Sequence, residues 1–585
     1  MNTVANYDKT PTITVSSDPS ECALGWDEVA DRLRGFLPAG RCVLCIETYP
    51  GVFEREIEQA LARRLRPVQI LRSQCCYKPS AEINQIAAPF LTDDPVFGRM
   101  SYLELTDYID PNRLAAARQT VSEWSRGLLL VIGTGAAVIS PNADVLVYAD
   151  LARWEIQQRQ RRGQISSLGV NDAGAKPSVL YKRGFFLDWR LADNLKRALL
   201  PRINFLLDTN DMRTPKIISG EALHRALRKT VERPFRLVPF FDPGPWGGQW
   251  IRKVCALNGD APNYAWCFDC VPEENSLLLG FGNRRMEIPA VDLVFTHPRE
   301  LLGDAVHARF GAEFPIRFDF LDTMDGGNLS LQVHPTTEYI RSHFGLYYTQ
   351  DESYYILDAD QGAAVYLGLK DEVNPESMLR DLELAENPDC AFPADRYVNQ
   401  FPAHKHDHFL IPAGTVHCSG RNCMVLEISA TPYIFTFKLW DWGRLGLDGE
   451  PRPIHIDHGK RNIQWDRRTR WVKGNLLNQI QPLSSGEGWL EERTGLHEME
   501  FIETRRCWFT GKIIHHTRGG VNVLNLVEGD EAVVESPGHA FEPFVVHYAE
   551  TFVVPAAVGP YTITPFGSAQ GKRCATIKAF VRTSA

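Results

Sequence analysis

The sequence predicts a multi-domain protein in which an α/β domain built on a parallel sheet precedes all-β domains. Three observations carry that expectation. A chain of 585 residues is too long for one hydrophobic core. Through about residue 235, apolar runs such as RCVLCIE and LLLVI alternate with helical stretches, the pattern of strands buried on both faces. From Pro243 the texture changes to short alternating strands separated by turns, as in a β-sandwich or small barrel.

Composition narrows the class. Hydrophobic content of 44% and charged content of 23% describe a soluble globular chain. A net charge of -9 argues against nucleic acid as a partner. The opening MNTVANYDKTPTITVSSDPSE lacks the apolar core of a signal peptide, and no apolar run reaches membrane-span length. Thirteen cysteines include two CxxC pairs, Cys42 with Cys45 and Cys267 with Cys270. Neither has a second pair or a histidine at zinc-ribbon spacing. Reduced, mostly buried thiols of a cytoplasmic protein are expected.

In chain order, residues 1–22 read as a mobile tail. Helical patterns cover Trp26–Phe36, Phe53–Leu65, Pro111–Ser125 and Leu151–Arg162. Strand patterns cover Arg41–Glu47, Val68–Leu71, Leu128–Ile132 and Asp144–Tyr148. The expected domains are 23–235 (α/β), 236–470 (all-β) and 471–585 (a second all-β block).

The sharpest chemistry lies in the middle block. In LSLQVHP, Gln332 and His334 are two residues apart on a strand pattern and therefore share one face. Glu352 opens the next strand, and His417 ends the run FLIPAGTVH. A carbonyl oxygen, two imidazoles and a carboxylate form a donor set that a zinc-like ion accepts, with room for a water or substrate oxygen. His404, His406 and His408 in HKHDHF also alternate, but read as a solvent-facing imidazole row.

Two resemblances extend this reading. The N-terminal order, with DVLVYADLARWEIQQRQRRG and LYKRGFFLDWRLADNLKR, resembles the uridine-kinase-like branch of the P-loop kinases. That family needs a Gly-rich loop ending in Lys-Ser/Thr to hold phosphates. Here the loop reads ETYPGVFERE, with one glycine, no lysine, and the carboxylates Glu47, Glu54 and Glu56. Neither nucleotide binding nor phosphoryl transfer is expected of this degenerate P-loop kinase-like domain. Arg159, Arg161 and Arg162 resemble a kinase lid but read as a solvated helix face.

Over about 340 residues, the blocks WGG (from Trp246), HPRELLG, FPIRFDFLD, LSLQVHP, ESYYILDADQGAAVYLGLK, FLIPAGTVH and LEISATPYIFTFKLWDWGRLGLDGEPRPIHI resemble type I phosphomannose isomerase, in order. The match runs on to FVVPAAVGPYTI. The resemblance implies cupin barrels with a small helical insertion, here within 371–400, and a metal-free C-terminal barrel with a structural role. It also implies one Zn2+ per chain, or another divalent metal, held by Gln332, His334, Glu352 and His417. Lys438 and Glu427 are the expected proton carriers, and Ser330, Gln350 and Arg317 the expected substrate contacts.

The chain departs from the family pattern where cations are expected. Gln350 and Asp319 stand in place of lysines, and Lys438 in place of an arginine. Each charge-assisted contact is worth roughly 1.5–3 kcal/mol, so phosphate recognition is the weakened part. The leading expectation is a metal-dependent aldose–ketose isomerase interconverting mannose 6-phosphate and fructose 6-phosphate through an enediolate. The alternatives are an isomerase of an unphosphorylated or differently charged sugar, and a non-catalytic sugar-sensing protein. Its partner is a sugar or sugar phosphate, not nucleic acid or membrane, and no residue pattern points to an oligomeric state.

Overall fold

The computed structural model describes residues 6–583 apart from 388–389, 431–433, 448, 496 and 498. The chain divides into two compact units. Thr12–Thr230 with Pro272–His297 forms the α/β unit, and Met1–Pro11, Val231–Val271 and Pro298–Ala585 form the β unit.

In the α/β unit, β1 (Thr12–Ser16) pairs in parallel with Ser276–Phe281, which also pairs with Arg284–Pro289 in a three-stranded sheet. The mobile tail expected over 1–22 is corrected here for the described residues. TITVS alternates, burying Ile13 and Val15, and such a β-branched run gains more from pairing than from solvation. Residues 1–5 of that tail lie outside the described residues. The single border expected near 235 is also simpler than the chain path, because Pro272–His297 returns to the α/β unit.

Helix α1 (Gly25–Arg34) buries Val29, Ala30 and Leu33 on one stripe, with acids in its first turn and arginines in its last, as the helix dipole favours. The strands β2 (Cys42–Thr48), β3 (Gln69–Arg72), β4 (Leu128–Gly133), β5 (Val145–Asp150) and β6 (Phe205–Asp208) are parallel in the order β3-β4-β2-β5-β6. The antiparallel β7 (Lys216–Ser219) and Ala23–Leu24 extend the sheet beyond β6. All seven residues of β2 are buried, including Cys42 and Cys45, which explains a strand without polar alternation. Among the helices between strands, Glu54–Leu65 and Pro111–Ser122 fall close to the expected spans.

Arg159, expected on a solvated face, is corrected to the interior. It is 1% exposed, pairs with Glu155 at 2.8 Å and stacks over Phe53. Its Nη2 donates to the Thr209 carbonyl at 2.7 Å, so the backbone supplies what solvent would have.

The β unit begins with β8 (Phe240–Asp242), β9 (Trp266–Cys270), β10 (Ile316–Asp322), β11 (Leu331–Val333), β12 (Glu352–Ala359) and β13 (Ala364–Leu369). It continues with β14 (Val398–Pro402), β15 (His408–Ile411), β16 (His417–Ser419), β17 (Cys423–Ala430) and β18 (Phe437–Trp440). A six-stranded sheet β15-β12-β17-β10-β9-β8 and a five-stranded sheet β14-β13-β16-β11-β18 make the first barrel. The helix Pro375–Leu384, capped by Asn374, lies where the small insertion is expected.

The second barrel uses β19 (Gln481–Gly486), β20 (Trp489–Gly495), β21 (Ile502–Phe509), β22 (Ile513–His516) and β23 (Asn522–Glu528). Its remaining strands are β24 (Glu531–Glu535), β25 (Phe544–His547), β26 (Thr551–Val554), β27 (Pro560–Pro565) and β28 (Cys574–Val581). They form sheets β19-β20-β21-β28-β23-β26 and β22-β27-β24-β25.

The expected solvent-facing histidine row is corrected as well. His406 has φ 75°, which breaks the strand alternation before β15 begins. His408 is buried against the Thr494 carbonyl at 2.9 Å, and His406 sits 2.9 Å from the Tyr355 hydroxyl. His404 alone of the three is exposed.

Candidate metal centre

The two sheets of the first barrel bring four side chains to one point. Gln332 lies on β11 and pairs directly with His417 at the start of β16. His334 follows β11 immediately, and Glu352 opens β12 on the opposite sheet. His334 Nε2 lies 3.2 Å from Glu352 Oε2, and His417 Nε2 lies 2.7 Å from Glu352 Oε1. The amide nitrogen of Gln332 is 3.3 Å from His417 Nε2, and rotating the amide offers its oxygen instead. All four are buried, with Gln332 the most exposed at 6%.

The outer ring nitrogens decide what the inner ones do. His334 Nδ1 lies 3.2 Å from the Phe435 carbonyl, and His417 Nδ1 lies 2.8 Å from the Thr415 carbonyl. A carbonyl only accepts, so both Nδ1 atoms carry protons. In neutral rings the two Nε2 lone pairs then face a carboxylate, acceptor against acceptor. A cation among them resolves that conflict, and carbonyl-anchored histidines are the usual second shell of a metal site. The donor set fits a divalent ion. Among the described residues, this His–Glu–His group is the one cluster whose ligand atoms all lie within 4.8 Å of one another.

Around this point the charges separate into two poles. Asp319 on β10 and Glu427 on β17 are directly paired, and Tyr354 on β12 pairs with Glu427 from the other side. Burial, then the Glu352 charge, pushes Asp319 up to about 8, against the pull of Arg317. Burial, then Asp319 and Glu352, holds Glu427 well above the carboxylate range. Burial opposes ionisation of Glu352 too, but His334 and His417 overcome it and hold that carboxyl low. Gln350 Nε2 donates to Glu352 at 3.0 Å and to Glu427 at 3.3 Å, linking the metal donors to the acidic pair. Arg317 is buried two residues before Asp319 on the same strand face.

The opposite pole is basic. Lys438 on β18 pairs with Gln332. It is half-buried, and loss of solvent, with Arg452 and Arg444 nearby, pulls its amine down to about 7. Ser330 donates to Asp441 at 2.9 Å, and Arg452 Nη1 reaches both Ser330 (3.2 Å) and Asp441 (2.8 Å). Arg444 Nη2 completes the group at 2.6 Å from Asp441. The structure thus brings Ser330 and Lys438 into one basic pole, and Arg317, Gln350 and Glu427 into the acidic one. Sequence reasoning missed Asp441, Arg444 and Arg452 as members of the site. The one signal was DWGR, which spaces Asp441 and Arg444 for an i,i+3 pair.

Residues 25–232 match the family model described as "Domain of unknown function (DUF8485)". The expected kinase resemblance of that region finds no support there. The chain is 27% identical over 214 residues to a mannose-6-phosphate isomerase of Streptococcus mutans, covering 36% of this chain and 62% of the relative. It is 28% identical over 237 residues to the mannose-6-phosphate isomerase ManA of Bacillus subtilis, covering 40% and 67%. The chain therefore spans about two thirds or less of the length of these relatives. Among solved structures, a Bacillus subtilis mannose 6-phosphate isomerase aligns with TM-score 0.48 and 18% identity, covering 59% of this chain and 99% of that one. A putative mannosephosphate isomerase from Archaeoglobus fulgidus aligns with TM-score 0.44 and 17% identity, covering 60% and 98%.

Proposed function

We propose that the first barrel is the active centre of a metal-dependent aldose–ketose isomerase acting on mannose 6-phosphate or a close relative. The observation that carries this reading is the convergence of His334 Nε2, His417 Nε2 and Glu352 as mutually facing acceptors. Gln332, His334, Glu352 and His417 would hold one zinc or similar divalent ion. When bound, that ion supplies Lewis acidity toward a sugar carbonyl. The partial likeness to mannose-6-phosphate isomerases supports the choice of sugar.

The chain's own groups divide the proton work. Aldose–ketose exchange moves a proton between C1 and C2 through an enediolate. Lys438, with its amine near 7, can take and return a proton at neutral pH. Glu427, held well above the carboxylate range, is the proton donor from the other sheet. Ser330, Gln350 and Arg317 position the sugar, and Asp441 aims Ser330 and Arg452. Gln350 and Asp319, where the isomerase pattern has lysines, favour a second reading, an unphosphorylated or less anionic sugar, because neither supplies a cation to offset a phosphate dianion.

A coupled assay of metal-loaded protein with mannose 6-phosphate, fructose 6-phosphate and a panel of free sugars decides between them. Turnover of the phosphates, lost in His334→Ala, is the expected result. Absence of turnover on any sugar at full zinc occupancy would overturn both readings.

For the α/β unit we propose a non-catalytic role with no bound nucleotide. Glu47 accepts from the Gly135 and Ala137 amides at 2.6 and 2.7 Å, and Glu54 accepts from the Thr134 amide at 2.9 Å. Internal carboxylates thus fill an amide nest that a phosphate would otherwise use. Tight Mg-ATP binding measured by calorimetry would refute this.

A further inference from the structure

The second barrel carries a constellation that the isomerase reading does not use. Its interior is layered. Cys507, Phe509, Ile513, Leu524, Leu526, Phe552 and Ile563 form a wholly apolar core toward one end. Strand register then fixes what fills the other end, because paired residues and residues two apart share a face. Lys578 pairs with both Leu524 and Arg505, and Arg505 precedes Cys507 by two. Arg493 pairs with Arg505, and Glu491 pairs with Cys507. His515 follows the core residue Ile513 by two and pairs with Tyr561. All of these side chains therefore belong to the interior face, as a polar layer above the apolar one.

That layer is connected but incomplete. Lys578 Nζ is 3.2 Å from Glu491 Oε1 and 3.4 Å from His515 Nδ1. Arg505 Nε is 2.6 Å from Glu503, and its Nη1 lies 3.6 Å from Glu491. Tyr561 stacks on His515 at 5.3 Å and donates to Asn522 at 3.0 Å. An ammonium only donates, so His515 Nδ1 accepts and the ring proton sits on Nε2. Burial, with Lys578 and Arg505 beside it, keeps this imidazole neutral. His515 is 7% exposed, and its Nε2 has no hydrogen-bond partner among the described residues. Arg493 Nε is buried and unpartnered in the same way. An unmet buried donor costs roughly 1–3 kcal/mol, so two in one layer call for an acceptor. Arginines 493 and 505 with Lys578 also outnumber Glu491 and Glu503, which leaves the layer net positive.

We infer that the polar end of the second barrel is a binding site for a small oxyanion, a phosphate group, received by His515 Nε2, Arg493, Arg505 and Lys578. Barrel mouths are common ligand sites, and donors without counter-acceptors select an anion over a neutral polyol. The phosphate could be free or carried on a sugar phosphate, and the two sources separate experimentally. The site is independent of the metal centre and stands or falls without it.

The test uses the full chain carrying His334→Ala, which removes a ligand of the first barrel's metal centre. Calorimetric titration with inorganic phosphate is expected to show one saturable site per chain. Fructose 6-phosphate binding at the same site with higher affinity would identify the carried phosphate as its ligand, and equal or weaker binding the free ion. Lys578→Met and Arg505→Gln are each expected to weaken binding about ten-fold. Arg505 is partly exposed, so Arg505→Gln keeps the test valid if Lys578→Met does not fold. No saturable phosphate binding, or unchanged affinity in a folded Arg505→Gln protein, would overturn the proposal.

Discussion

The two barrels of the β unit share an architecture and differ in what fills their interiors. In the first, Gln332, His334, Glu352 and His417 put acceptors toward a common centre. In the second, Lys578, Arg505, Arg493 and His515 put donors there. A set of acceptors attracts a cation, and a set of donors attracts an anion. The same strand-to-strand scaffold thus supports opposite ligand chemistry, set by a few inward-facing positions on each strand.

The largest effect that tests this contrast is loss of a metal donor. His417→Ala is expected to reduce bound zinc, read by metal analysis, from one per chain to near none, and to lower isomerase turnover by more than about 100-fold, beyond what outer-shell changes cause. Retained stoichiometry would remove His417 from the donor set and collapse the distinction between the barrels.

Next in size is a packing change confined to the second barrel. Leu524 is fully buried in its apolar layer. Leu524→Ala should cost about 2–5 kcal/mol of stability by denaturant unfolding while leaving zinc per chain unchanged. A parallel loss of zinc would mean that the two interiors are energetically one.

A smaller effect concerns the acidic pole. Asp319→Asn removes from the buried Asp319–Glu427 pair the carboxyl that ionises at about 8. At about pH 9, where that carboxyl is ionised in the wild type, the ratio of kcat/KM for a phosphorylated over an unphosphorylated sugar is expected to rise about ten-fold, equivalent to roughly 1.4 kcal/mol. An unchanged ratio would show that Asp319 plays no part in discriminating against phosphate.

The smallest effect tests the tie between the barrels. Glu528 of the second barrel pairs with Lys405 (2.5 Å) and His406 (3.3 Å) of the first. The His406 hydrogen bond, then Lys405, holds its carboxyl down at about 2. A carboxyl that is lower in the folded state contributes stability above its unfolded value near 4.3, and loses it as pH falls toward 2. Because the pair is partly exposed, Glu528→Gln should cost no more than about 1 kcal/mol at pH 7. The difference between variant and wild type should shrink in denaturant titrations run down through that window. A difference that stays constant with pH would rule out the ion pair as its source.

Much of the scaffold was legible in the residues because its signals are local. The apolar run Cys42–Ile46 of β2 announces a strand buried on both faces, and Asp110-Pro111 starts a helix through a side-chain cap and a proline in its first turn. The spacing of Gln332 and His334 is local as well. Other features depend on distant partners. TITVS sits in a polar opening, and only pairing with Ser276–Phe281 makes it a strand. Arg159 looks like a surface residue until the Gly51 and Thr209 carbonyls receive its guanidinium. HKHDH alternates on paper, but His406 adopts a positive φ that alternation cannot foresee.

The sequence by itself determined which residues could donate to a metal, and that ETYPGVFERE carries three carboxylates and no lysine. Both follow from side-chain chemistry at short spacing. Tertiary structure alone decided that Asp319 faces Glu427, that Asp441 joins Ser330 to Arg444 and Arg452, and that the second barrel has a donor-rich end. Those facts rest on cross-strand register, which joins residues up to about a hundred positions apart and leaves no periodic trace along the chain.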